Sequence, residues 1–316
     1  MANNACSAAA LRRAAVCGTL AASIYNTQPW HFRLTASTLQ LWSDPERQLL
    51  AHDPEGRLLI MSCGCALFNA RAALAAEGIG VSVRRHESDE RPSARSRLLA
   101  TVTVSDDQPA DSTGIGDLAL VADARRTNRQ PFTDADVPAD LLQRLPIAAL
   151  AEGAVLVPLV GDQPRTLREL TERAVAMSTA EPSHRAERRA WSVTAGYSPT
   201  PTDDPAVLTD PSGGLPMLLC ARTESAPDWM RAGEALQRVL LELTGRRLQA
   251  GLSSDAAQVP AIRQRLRTAM GLTVDPIVVL QIGHAPPSPA TRRRRLVDVI
   301  VESGGEGTVE QQAATA

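Results

Sequence analysis

The chain has 316 residues, 44% of them hydrophobic and 22% charged, with a net charge of −2; the length allows about two domains and the composition is that of an ordinary globular protein. So even a charge balance argues against a nucleic-acid partner, and 3% aromatic residues leave little for stacking on single strands. All 33 basic residues are Arg, which excludes every mechanism built on a lysine amine and leaves guanidinium, backbone N–H and hydroxyl groups to hold any phosphate.

Residues 7–22 read as a helix with Leu11, Ala15 and Leu20 on one face. No run of about 18 apolar residues offers a membrane span, and no basic region precedes an apolar run, so neither a transmembrane helix nor a signal peptide is read. Pro29 ends the first helical region by holding Gln28 extended. His31–Leu34 and Leu39–Trp42 alternate like a hairpin. Residues 58–77 read as a buried helix closed by Gly78, followed by strands at Val81–Val83 and Leu98–Val104. A polar stretch at 105–115 is a candidate linker. Helices are expected at 116–126, 139–145 and 163–178, with a strand at Val155–Val160. Residues 181–216 are Pro-rich and aperiodic, either a functional lid or disordered. A strand resumes at Met217–Cys220, then helices at 229–250 and 260–271 and an apolar strand at Pro276–Ile282. Residues 303–316 read as a mobile tail.

The cysteines, Cys6, Cys17, Cys63, Cys65 and Cys220, are odd in number and scattered. That suits buried thiols in a reducing, cytoplasmic setting. No second close pair joins Cys63 and Cys65 to complete a zinc site, and the histidines show no metal spacing. A faint repeat links Gly64-Cys-Ala66-Leu67 with Gly233-Glu-Ala235-Leu236, each opening a long helix.

Three local signals carry chemistry. Ser23-Ile-Tyr-Asn26-Thr-Gln28-Pro29-Trp30 is either a capped helix end over a core Trp or a set of polar donors for a planar ligand. Arg125-Arg126-Thr127-Asn128-Arg129-Gln130-Pro131-Phe132 is either a solvated basic face or an anion site restrained by the turn that follows. Arg292-Arg293-Arg294-Arg295 makes a strong local positive potential; the even overall balance weakens a nucleic-acid reading.

Together these segments resemble the nitroreductase superfamily of FMN proteins. Their order, with the Arg segment after the Gln-Pro-Trp segment, resembles the Acg-like branch, in which one chain mimics the usual dimer. Thr223, Asp228-Trp229 through Leu236, and Val259-Pro260-Ala-Ile-Arg263 extend the likeness over residues 10–300. The resemblance implies an α+β, nitroreductase-like fold of two tandem halves forming a single-chain pseudo-dimer, each half a β-sheet flanked by helices. The halves would span 1–112 and 113–302, with a lid at 181–216. It further implies FMN contacts from Ser23, Asn26 and Gln28, and phosphate and ribityl contacts from Arg125, Arg126, Thr127 and Arg129. Arg293 and Arg294 would complete the phosphate site. Leu252, Ser253 and Ser254 would form the loop facing flavin N5. Two departures stand out: counting from Gly233 the interval that separates Gly64 from Gly78 reaches Arg247 where a Gly is expected, and Ala22 stands where the family has Pro.

The function implied is FMN-dependent oxidoreduction of a small organic substrate, with NAD(P)H as a candidate donor and the flavin doing the redox chemistry. That accounts for the lack of a catalytic triad or carboxylate pair. The competing expectations are a protein that sequesters FMN beneath a lid with little turnover, and a degenerate scaffold without flavin. The expected assembly is a monomeric pseudo-dimer or a weak homodimer, with no membrane or nucleic-acid partner.

Overall fold

The computed structural model describes residues 2–86, 95–105, 107, 114–194 and 214–302. Most of the candidate linker, residues 195–213 of the candidate lid and the tail from 303 lie outside the described residues.

Helix α1 (Ala2–Gly18) buries Ala10, Leu11, Ala14 and Ala15 and turns Arg12 and Arg13 to solvent, the helical period expected of its sequence. The hairpin follows as β1 (Trp30–Leu34) and β2 (Thr38–Ser43). Helix α2 (Arg57–Ala76) is buried nearly all round, and β3 (Val81–Arg85) and β4 (Leu98–Val104) complete the first run. By length and composition α2 could cross a membrane, yet 83% of its apolar window is buried inside the protein.

The expected 116–126 helix is a single turn, α3 (Gly116–Ala119), followed by turns to residue 124. Gly116 there packs against the backbone of Ala75 and Ala76. Helix α4 (Ala139–Ala151) runs past Pro146 with Ala148 and Ala149 buried beyond it, the packing that offsets the cost of an internal proline. Then come β5 (Val155–Pro158), α5 (Gln163–Ala180) and α6 (Pro182–Thr194).

Residues 182–194 were expected to lack regular structure, and α6 corrects that. Its docking face is polar: Glu187 accepts hydrogen bonds from the Ala51 and His52 amides at 3.0 and 2.9 Å, and the Trp191 ring lies 5.0 Å from the Arg47 guanidinium. A helix held this way carries no aliphatic stripe to detect.

Strand β6 (Leu215–Ala221) leads to α7 (Ala226–Gly245), whose first turn is capped by Ser225 and tied by a 2.6 Å bond from Thr223 to Asp228. The reading of 229–250 as one helix overshoots: β7 (Gln249–Ser253) begins there. Short α8 (Asp255–Gln258), α9 (Pro260–Met270) and β8 (Asp275–Gly283) follow. One-turn α10 (Leu296–Val299) and β9 (Ile300–Glu302) end the described chain.

The strands form two sheets. One is five-stranded, in order β3-β4-β2-β1-β9; the other is four-stranded, in order β5-β6-β8-β7. All pairings are antiparallel except β9, which returns from the end of the chain to lie parallel to β1. Helices flank both sheets, and one core cluster includes residues of both.

At the centre α2 and α7 cross at Gly64 and Gly233. A Cβ on Gly64 would collide with the Met230 carbonyl, and one on Gly233 with the Met61 carbonyl. The two helices also end alike. Ile79 N donates to Leu74 O at 3.0 Å after α2, and Leu248 N donates to Leu243 O at 2.9 Å after α7. Gly78 (φ +69°) and Arg247 (φ +58°) hold the matching left-handed positions.

Candidate functional site

The segment before β1 is built against its intrinsic preference. Tyr25, Asn26 and Gln28 all have positive φ, at 44°, 55° and 48°, so Gln28 is left-handed rather than extended as the proline after it predicts; such conformations cost free energy in non-glycine residues and persist where the surroundings impose them. Those surroundings are explicit. Ile24 N donates to Ser62 Oγ on α2 at 3.2 Å, and Ala22 N donates to Gln237 Oε1 on α7 at 3.1 Å. Asn26 Nδ2 donates to Arg292 O at 2.8 Å, and Arg293 Nη1 donates to Asn26 Oδ1 at 3.2 Å. The Gln-Pro-Trp segment and the late Arg cluster, remote in sequence, are therefore clasped together.

The mid-chain Arg segment is positioned by β7. Thr127 bridges Ala250, and Asn128 N donates to Ala250 O at 2.8 Å. Asn128 Oδ1 then accepts from Gln130 N at 3.0 Å, an Asx turn that fixes the exit of the loop.

These elements enclose two adjoining spaces. The larger cleft, about 970 Å³, is walled by α2 and α7 and the end of β7; Ser23, Thr127, Arg129, Leu252, Ser253 and Ser254 line it. The smaller, about 390 Å³, is lined by Arg125, Arg126, Thr127, Arg129, Ser23, Asn26 and Arg293. Ser23, Thr127 and Arg129 border both.

Gln28 and Arg294 are the exceptions among the expected site residues. Gln28 Oε1 accepts from Arg294 N at 2.9 Å, and Arg294 Nη1 donates to Gln28 O and to Asp44 Oδ2, both at 3.0 Å. Both side chains hold the late segment in place and border neither space. Leu252 and Ser253 close strand β7 rather than lying in a loop.

Several lining residues escaped the sequence reading. Ser62 and Cys65 lie on α2, whose uniform burial leaves no face to single out. Val175 of α5 and Arg188 of α6 reach the larger cleft from the helical insertion between β5 and β6. Thr291, beside the Arg cluster, lines the smaller space and accepts from Arg293 Nη1 at 2.6 Å.

The smaller space is strongly cationic. Arg125 is 3% exposed, and its Nε has no partner; Arg293 Nε is likewise buried without one. Among the described residues no carboxylate forms an ion pair with either. Burial, then repulsion from Arg293, lowers the Arg125 guanidinium to about 9. Burial and Arg126 lower Arg293 to about 10 against the opposing pull of Asp123. Buried cations without a counter-charge are costly, and an anion supplied from outside relieves that cost. Deep in the larger cleft, burial pushes the Cys65 thiol up to about 12, so it stands there as a neutral group.

No family model matches the chain. Among curated proteins it is 31% identical to the Mycobacterium tuberculosis H37Rv protein named "Putative NAD(P)H nitroreductase Rv3131", over 89% of this chain and 88% of that one. It is 27% identical to "Putative NAD(P)H nitroreductase acg" of the same strain, over 88% and 91% of the two chains. Among solved structures, the FMN and NADPH-dependent nitroreductase NfnB from Sphigopyxis sp. strain HMH aligns with a TM-score of 0.44 and 21% identity, over 59% of this chain and 99% of that one.

Proposed function

The chain belongs to the nitroreductase family, in its Acg-like branch, and from that premise we propose that it is an FMN-dependent oxidoreductase acting on a small organic substrate. Flavin, when bound, supplies the two-electron redox chemistry. The chain supplies the binding and the surroundings. Arg125, Arg126, Arg129 and Arg293 would hold the phosphate, with Thr127 donating its hydroxyl, and each charge-assisted bond would contribute about 1.5–3 kcal/mol. Ser23, Leu252, Ser253 and Ser254, which line the larger cleft, would hold the ring system, and Asn26 would border the phosphate. The observation that carries this reading is the buried Arg125 guanidinium and the half-buried Arg293, each with an unpartnered Nε, in a space that adjoins the larger cleft.

The tandem reading has support of its own. The first run, α1-β1-β2-α2-β3-β4, recurs as α4-β5-β6-α7-β7-β8 once the insertions α5–α6 and α8–α9 are set aside. Both sheets order the corresponding strands alike. We read residues 1–112 and 113–302 as two nitroreductase-like halves, with β9 crossing back to the first sheet. The cofactor site then lies between the halves of one chain, where related dimers would place it between subunits.

A second reading, sequestration of FMN with little turnover, draws on the α5–α6 insertion, which contributes Val175 and Arg188 to the wall of the larger cleft. The visible spectrum separates the possibilities. Purified chain, reconstituted with FMN and desalted, is expected to stay yellow and to bleach with NADH or NADPH in the absence of oxygen. Colour that bleaches with dithionite alone supports sequestration. A colourless protein after reconstitution overturns both.

A further inference from the structure

A second cavity, about 390 Å³, adjoins the larger cleft and shares Tyr25, Val175, Arg188 and Asp255 with it. Between the two stands a polar pair with no part in holding the cofactor's phosphate. His52, 6% exposed, borders the second cavity, and its Nε2 lies 3.1 Å from Ser254 Oγ; Ser254, equally buried, borders the cleft. The imidazole is fixed from several sides. Its backbone N–H is held by Glu187, the Tyr25 ring lies 5.2 Å away tilted by 31°, and the His184 ring packs edge-on at 6.2 Å.

We propose that Ser254 and His52 form a proton path into the cleft, in which the Ser254 hydroxyl protonates the acceptor and His52, acting through it, restores that proton from the second cavity. The proposal rests on the oxidoreductase reading. Reduction of a nitro group to a nitroso group consumes one hydride and one proton and releases water. The reduced flavin is the source of the hydride, and the proton leaves Ser254 Oγ. Ser254 regains a proton from His52 Nε2, and the imidazole regains one from solvent in the second cavity. A hydroxyl alone is a poor acid near neutral pH; one coupled to an imidazole is resupplied within its own hydrogen bond.

Every charged neighbour bears on the imidazole. Burial, His184 and Arg188 disfavour its protonation while Asp255 and Glu187 favour it, and the balance lies below the ordinary histidine value. Proton delivery therefore strengthens as pH falls.

The test uses the flavin-loaded full chain and two acceptors: p-nitrobenzoate, which takes hydride and proton, and ferricyanide, which takes electrons alone. The His52→Gln and Ser254→Ala variants are each expected to lower the ratio of nitrobenzoate to ferricyanide turnover by roughly tenfold or more, and Ser254→Thr to restore most of it. The ratio should rise in the unsubstituted chain as pH falls from about 8 to about 5 and stay flat in His52→Gln. A readout independent of turnover comes from flavin-free protein carrying nitrogen-labelled histidine: Ser254→Ala should move the His52 Nε2 resonance. With flavin retained, an unchanged ratio, an Nε2 signal indifferent to Ser254→Ala, or no reduction of p-nitrobenzoate by the unsubstituted chain overturns the proton path alone. A chain that retains no flavin overturns it together with the oxidoreductase reading.

Discussion

Arg125 is the residue at which charge and burial are most at odds. Its folded-state value of about 9 lies below the ordinary 12.5, so between those values the unfolded chain binds more protons than the folded one. The stability of the cofactor-free protein rises with pH across that window, and below it the fold carries the full cost of the buried charge. Replacing Arg125 by Met is expected to weaken FMN binding by about ten- to a hundredfold, read by quenching of flavin fluorescence, for one lost charge-assisted contact. The same variant should leave the cofactor-free protein at least as stable as the parent in thermal melts. Inorganic phosphate should raise the melting temperature of the parent and not of the variant. Arg247 makes a different point at the same scale. It carries a side chain in the left-handed position that Gly78 fills after α2. Arg247→Gly relieves that strain and is expected to stabilise the protein by about 0.5–1 kcal/mol in urea unfolding.

Among the elements, the crossing of α2 and α7 is the least forgiving. The atoms that a Cβ at Gly64 or Gly233 would meet are backbone carbonyls of the other helix, which cannot swing aside as a side chain can. Gly64→Ala is expected to destabilise by about 1–3 kcal/mol or more, although alanine is the better helix former; circular dichroism in denaturant measures it. The cleft opens beside this crossing, so the same variant should weaken flavin retention as well. Helix α6 is held differently, by the Glu187 carboxylate on two amides and by Arg47 against Trp191. Those contacts place Arg188 on the wall of the cleft.

For the whole molecule, the two sheets share one core and the late segment is bound into the first sheet. Strand β9 pairs with β1, Arg294 reaches Asp44, and Asn26 clasps Arg292 and Arg293. Buried ion pairs add to this: Glu234 on α7 binds Arg71 on α2 and Arg85 on β3. If the flavin site lies within one chain, flavin retention should not depend on protein concentration. Light scattering coupled to gel filtration should find bound flavin on a monomer at the lowest concentration measured, and flavin lost in step with dissociation of a dimer would refute the tandem reading.

Much of the local structure was legible because local physics sets it. The hairpin, α2 and its stop at Gly78, and the apolar β8 follow from periodicity and breakers that neighbours along the chain impose. The Arg and Gln-Pro-Trp segments stood out as candidates because clustered guanidinium groups concentrate positive potential and polar side chains flank a proline, but the left-handed Gln28 runs against the geometry that Pro29 favours. Where a helix packs through polar contacts, as α6 does, or a strand follows a turn made by an arginine, as β7 does, the one-dimensional pattern has no such mark. The choice within the late Arg cluster was also beyond it. Arg293 faces the smaller space while Arg294 is drawn to Asp44 and the Gln28 carbonyl, because side-chain direction on an irregular segment is set by what the fold brings against it. The sequence by itself determined the kinds of groups and most of the elements. The tertiary structure alone decided that Arg125 was buried without a carboxylate partner among the described residues, since burial and pairing depend on contacts between residues far apart in the chain.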